Sequence, residues 1–177
     1  MVLDKATTRY VSLMITHKCN LNCVYCYEQF KNSKAIDIDD AKKYISQNFY
    51  ATAQSGKYKS LELSMMGGEP LLEFEKIKEI CEWMWSREWP LKYIVFASTN
   101  GTLLTERMKQ WFCTNKDRFV LGISLDGTAE SQSLNRGHLA STIDIDFFVK
   151  TWPEQGIKAT ISKESIKNLA DDVIFIH

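Results

Sequence analysis

The chain has 177 residues, 45% apolar and 12% aromatic, enough to bury the core of a single domain spanning 1–177. Its 22 Lys and Arg are balanced by 22 Asp and Glu, which leaves no basic footprint for nucleic acid and no charged tail. The first residues lack an apolar signal core and no run is long enough to span a membrane, so the expectation is a cytoplasmic protein in a reducing compartment.

Residues 10–16 alternate, with Val11, Leu13 and Ile15 on one side, and predict a strand. A loop rich in cysteine follows. Asp37 is a good N-cap, with Asp40 at the third helical position; Ala41, Tyr44, Ile45 and Phe49 then recur at helical spacing to about Gln54. Residues 60–66 form a second strand, leading into Gly67-Gly68-Glu69-Pro70. A second helix carries Ile77, Ile80, Cys81 and Met84 on one face. Residues 92–98 make a third strand, ending in Thr99-Asn100-Gly101, and Thr105 caps a short third helix. Residues 119–125 make a fourth strand, ending in Asp126-Gly127. The stretch 128–140 reads as polar and irregular. Ser141 with Asp144 suggests a capping box for a fourth helix that buries Ile145, Phe148, Val149 and Trp152 and stops at Pro153. Residues 157–162 predict a fifth strand, and Ile166, Leu169, Ala170 and Val173 mark a fifth helix. Strict strand–helix alternation in units of roughly 30 residues means parallel strands with right-handed crossovers. The fold class expected is α/β, a partial parallel barrel of about five strand–helix units. Its unusual residues all follow strands, on the edge where such sheets bind ligands.

Five cysteines in a reducing compartment argue against a disulfide framework. Cys19, Cys23 and Cys26 lie within one loop; Cys81 reads as a buried small hydrophobe, and Cys113 has no cysteine partner. Three thiolates are an incomplete set for structural zinc, which takes four ligands. On a 4Fe–4S cluster they leave one iron open for another ligand, and that is the reading preferred for the loop. The alternatives are a zinc knuckle with His17 as fourth ligand, or a redox pair of Cys23 and Cys26 that leaves Cys19 unexplained.

Cys19-x3-Cys23-Val24-Tyr25-Cys26 resembles the signature of the radical S-adenosylmethionine (SAM) superfamily, and Gly67-Gly68-Glu69-Pro70 resembles its Gly-Gly-Glu-Pro motif. Thr99-Asn100-Gly101 and Ser124-Leu125-Asp126-Gly127 are similar to patterns in the branch of SPASM-type peptide and sulfatase maturases. The likeness covers about residues 10–170. It implies that Cys19, Cys23 and Cys26 ligate a 4Fe–4S cluster whose fourth iron takes the amino and carboxylate groups of SAM. It implies further that Gly67 and Gly68 admit close backbone approach, with Glu69 beside the ammonium. Asn100, Ser124 and Arg136 would offer polar contacts to SAM, and Tyr25 or Tyr27 would pack against adenine. The implied partners are SAM, a low-potential electron donor and a peptide or protein substrate. The chemistry implied is radical hydrogen abstraction.

Two departures stand out. A His-Asp pair common in the branch is replaced by Gln132 and Ser133. Family cores have six strand–helix units, and maturases add a cysteine-rich domain. The expectation here is a barrel incomplete before its sixth strand, from a shortened relative or a piece of a longer protein. Alternatives to a peptide-modifying enzyme are a small-molecule-modifying relative or a non-catalytic metal-binding remnant that binds a partner.

Overall fold

The computed structural model describes residues 3–137 and 142–177. Among the described residues, four strands form one sheet in the order of the chain: β1 (Thr8–Thr16), β2 (Ser60–Gly67), β3 (Lys92–Thr99) and β4 (Phe119–Ile123). All neighbours are parallel. Six α-helices accompany them among the described residues: α1 (Ile38–Gln54), α2 (Phe74–Trp85), α3 (Glu106–Asn115), α4 (Ala129–Arg136), α5 (Ile145–Thr151) and α6 (Leu169–Ile176).

The strand register keeps the apolar alternation in phase from one strand to the next. Val11 pairs with Leu63 and Leu63 with Val95; Leu13 pairs with Met65, Met65 with Ala97, and Ala97 with Leu121. These residues are buried on one face, with Ile45 and Phe49 of α1, Ile77, Ile80, Cys81 and Met84 of α2, and Phe112 of α3 in the same core. Each fully buried Leu, Ile or Phe contributes about 1.5–3 kcal/mol. The residues between them alternate to the other face, where Ser12 pairs with Ser64 and where Tyr10 and Met14 are exposed.

The helix starts follow their capping residues. Asp37 Oδ1 accepts from the backbone N–H groups of Asp39 (2.9 Å) and Asp40 (3.1 Å), and Thr105 Oγ1 accepts from Met108 N–H. Such a cap is worth about 1 kcal/mol.

Both outer strands are flanked by chain. Residues 34–36 lie along the end of β1: Thr16 forms an antiparallel bridge with Ala35, and Ile36 N–H donates to Ile15 O. Lys158 bridges Ser124 just past β4, exchanging backbone hydrogen bonds with Ile123 and Leu125. This bridge is all that forms of the expected fifth strand. Further along, the backbone groups are taken by side chains instead. Thr160 N–H donates to the Asp126 carboxylate, and Thr160 O accepts from Asn135 Nδ2.

Three other expectations are corrected. The stretch read as irregular holds α4, which buries Ser131, Gln132, Asn135 and Arg136 and closes on Gly137 at φ 73°. The N-cap of α5 is Asp144 itself, whose side chain accepts from Phe147 N–H; Ser141 lies outside the described residues, and Val149 is exposed. In α6, Leu169 and Val173 are exposed and the buried residue is Asp172, held by Thr128 and Ser131.

Candidate functional site

The loops that follow β1, β2, β3 and β4 meet around a cavity of about 300 Å³. Its walls include Cys19, Cys23, Tyr25, Cys26, Tyr27, Gly67, Gly68, Glu69, Asn100, Ser124 and Arg136, with Met66, Ser98, Thr99, Lys158 and Thr160. The residues singled out from the sequence are therefore brought together, though they come from four separate loops and α4.

All three loop cysteines are free and half-buried. Burial pushes the Cys19 thiol upward, opposed by the Leu21 N–H that donates to its sulfur at 3.4 Å. Burial also raises Cys23, opposed by the charge of Arg136. Cys26 Sγ donates to Glu28 O at 3.6 Å. Among the described residues, no three His, Cys, Asp or Glu side chains converge closely enough to hold a single metal ion. His17, considered above as a fourth ligand, has its Nδ1 3.1 Å from the Glu28 carboxylate.

The Gly-Gly-Glu turn holds the cysteine loop by its backbone. Gly68 N–H donates to Thr16 O, and Glu69 N–H donates to Lys18 O. A Cβ at Gly67 would stand 2.9 Å from Thr16 O, and one at Gly68 would collide with the Lys18 carbonyl. Both glycines thus let the chain's own backbone come close, at the rim of the cavity they also line.

Glu69 is 1% exposed. Its Oε1 accepts from Thr99 Oγ1 (2.7 Å) and Leu71 N–H (3.1 Å), and its Oε2 from Asn100 N–H (2.8 Å). Burial raises its pKa, against the pull of these three donors. Glu69 joins the loop after β2 to the loop after β3. Asn100 continues the chain of contacts: its Nδ2 donates to Asn20 Oδ1 inside the cysteine loop. Ser124 pairs its hydroxyl with that of Ser98 at 3.0 Å.

Tyr25 turns its hydroxyl to Asp126 Oδ2 at 2.5 Å, and burial, followed by this bond, raises its pKa. Its ring lies beneath the Arg136 guanidinium, 5.5 Å from centroid to carbon. Arg136 donates to Asp126 Oδ1 at 2.8 Å in a pair whose side chains are 7% and 0% exposed. Burial acts to lower the Arg136 pKa, but the pairing with Asp126 outweighs it and the pKa is raised. Arg136 Nε is buried with no hydrogen-bond partner among the described residues. Asn20 beside the site carries no signal in the sequence, and Thr99 and Asp126, which stand there only within motifs, prove to be hydrogen-bond partners of Glu69, Tyr25 and Arg136. The tie of Asp126 to Tyr25 crosses 101 residues.

A family model described as "4Fe-4S single cluster domain" matches residues 8–141. An uncharacterized protein of Methanocaldococcus jannaschii is 34% identical over 122 residues, covering 67% of this chain and 39% of that protein. A cysteine-type anaerobic sulfatase-maturating enzyme of Clostridium perfringens is 29% identical over 126 residues, covering 67% of this chain and 32% of the enzyme. Among solved structures, native anSMEcpe with bound AdoMet and the Kp18Cys peptide superposes with a TM-score of 0.71 at 24% identity, covering 94% of this chain and 48% of that one. The chain thus spans less than half the length of these relatives.

Proposed function

The chain belongs to the 4Fe-4S single cluster domain family, of radical SAM type, and from that membership we propose that its cavity holds a 4Fe–4S cluster on Cys19, Cys23 and Cys26 together with SAM. The observation that carries the reading is the shared cavity: three free thiols from one loop face the Gly67-Gly68-Glu69 turn, Asn100, Ser124 and Arg136. The donor set fits the group. Three free thiols of one loop line the same cavity, the ligand number that leaves one iron of a 4Fe–4S cluster open to SAM.

The chain's own residues divide the work. The cysteines would supply the thiolates: burial raises the Cys19 and Cys23 thiols, and the Leu21 N–H and the Arg136 charge work against that rise. Arg136 keeps a free Nε donor on a guanidinium already fixed by Asp126, suited to an anionic group such as the SAM carboxylate. Glu69 lines the cavity with a buried carboxylate that would balance the ammonium of the same ligand, and Ser124 would offer a hydroxyl. Tyr25 contributes a ring on the same wall. Bound there, cluster and SAM would supply the one-electron reductive cleavage of the sulfonium from which hydrogen abstraction from a substrate would follow.

The substrate proposed is a peptide or protein side chain. The structural relative with a TM-score of 0.71 holds a peptide, and a sequence relative is a sulfatase-maturating enzyme. The electron comes from a low-potential donor. Five free cysteines suit a reducing cytoplasm. Among the described residues no helix is long and apolar enough to cross a membrane.

Anaerobic reconstitution with iron and sulfide, followed by absorption spectroscopy and assay for 5′-deoxyadenosine, tests the reading. A brown protein that cleaves SAM on reduction is expected, with cluster assembly abolished in Cys23→Ala. A colourless, zinc-loaded protein that leaves SAM intact overturns it.

A further inference from the structure

Asn20, Asn100 and Thr102 close a three-membered hydrogen-bond ring between the cysteine loop and the loop after β3. Asn20 Nδ2 donates to Thr102 Oγ1 at 2.8 Å. Thr102 Oγ1 donates to Asn100 Oδ1 at 2.7 Å. Asn100 Nδ2 donates back to Asn20 Oδ1 at 2.9 Å. Each side chain gives one hydrogen bond and accepts one in the same rotational sense, an arrangement in which every bond polarises the next.

The ring is anchored on its β3 side. Asn100 is 6% exposed, its backbone N–H donates to buried Glu69, and its Oδ1 also accepts from Thr102 N–H at 3.0 Å. Gly101 lies between the two β3-side members at φ 78°. A side chain there would meet Ile123 Cδ1 at 2.6 Å and Ile143 Cγ2 at 2.9 Å. Only a residue without Cβ makes this turn, which presents both neighbours to Asn20. On the other side, Asn20 directly follows Cys19 in the loop. Anchored residues thus grip the chain beside the first proposed ligand.

We infer that Asn20, Asn100 and Thr102 are positioning residues that fix the Cys19–Cys23 half of the loop, so that Asn100 acts through Asn20 and not by touching SAM. This rests on the cluster reading above and deepens it. The oxygen of the Asn100 amide and one of its N–H bonds are spent inside the ring. The consequence is a shared phenotype: opening the ring at any member frees the same stretch of loop.

Thr102→Val removes the hydroxyl with little change of shape, Thr102→Ser retains it, and Asn20→Ala and Asn100→Ala open the ring at its other members. In the metal-free chain, amide hydrogen exchange at residues 20–23 is expected to quicken about tenfold in Thr102→Val, Asn20→Ala and Asn100→Ala, and to stay near wild type in Thr102→Ser. In the reconstituted protein, the same three variants are expected to assemble a cluster whose electron paramagnetic resonance spectrum and midpoint potential shift alike before SAM is added. The Asn20→Ala/Asn100→Ala double variant should shift no further than either single one. Unchanged exchange in Thr102→Val overturns the inference. So does an effect confined to Asn100→Ala and seen only with SAM present, which would mark direct contact. A wild-type chain that takes up no cluster defeats the cluster reading, while the exchange experiment still decides whether the ring holds the loop.

Discussion

Gly68 lies against the backbone of Lys18 so closely that a Cβ would collide with the Lys18 carbonyl and stand 2.9 Å from the Cys19 Cβ. The Glu69 N–H then donates to that same carbonyl at 2.8 Å. The turn after β2 is therefore moulded to the start of the cysteine loop, and neither can shift alone. Gly68→Ala is expected to cost about 1–3 kcal/mol of stability, as overpacking against backbone does. Chemical denaturation measures the loss, and iron bound per chain should fall with it. Gly156→Ala is the matched control: nothing lies within 4 Å of its Cβ position, and its effect should stay within about 0.5 kcal/mol.

Asp126 is expected to be the most sensitive position behind the cavity wall, where it holds the lining residues Tyr25, Arg136 and Thr160. It accepts from Tyr25, Arg136 and Thr160 N–H, and its side chain is fully buried. Truncation by Asp126→Ala leaves the Arg136 charge buried without its partner, at a cost of about 3–5 kcal/mol. Tyr25→Phe removes one bond to a charged acceptor and should cost about 1.5–3 kcal/mol. Because both act through one carboxylate, the double variant should lose less than the sum of the two, which a double-mutant cycle by thermal or urea denaturation will show.

Acid should loosen α5 through its cap. The Lys109 hydrogen bond, then the Phe147 N–H, hold the Asp144 carboxyl below the usual carboxylate range. The folded state thus keeps Asp144 ionised at a pH where the unfolded chain has begun to protonate it. Its stabilisation is complete above the ordinary carboxylate pKa and drains away as pH falls through the lower native value. Asp144→Asn retains a capping oxygen but not the charge, so this acid-dependent part should vanish. Amide exchange of residues 145–151 between pH 6 and pH 3, compared in the two proteins, reads the difference.

Wherever apolar residues do the packing, the sequence and the structure agree closely. Val11, Leu13 and Ile15 alternate because one side of β1 is buried, and Ala41, Ile45 and Phe49 recur because one side of α1 is, while Tyr44, grouped with them in the sequence, is exposed. Where polar residues do the packing, periodicity carries no signal. Helix α4 buries Ser131, Gln132, Asn135 and Arg136 through hydrogen bonds, so a search for an apolar stripe passes over it. Helix α6 misleads in the opposite sense, with Val173 and Ile174 exposed while Asp172 faces inward. In the site, the order of the motifs along alternating strands suffices to bring the cysteines, Gly67, Gly68, Glu69, Asn100, Ser124 and Arg136 to one cavity. What it cannot supply is the pairing among them. The contacts of Tyr25 with Asp126 and of Asn20 with Asn100 span 101 and 80 residues, between side chains common in any loop.

The flanking of the two outer strands bears on solubility. A parallel sheet with bare outer strands offers rows of unpaired amides to any passing chain, the usual seed of strand-mediated aggregation. Here residues 34–36 close the end of β1, and Lys158 closes the end of β4. Beyond Lys158, Thr160 is occupied by Asp126 and Asn135, so its amide and carbonyl are not free to recruit a further strand. The same carboxylate that braces the cavity wall thereby also takes one backbone amide out of reach of a further strand.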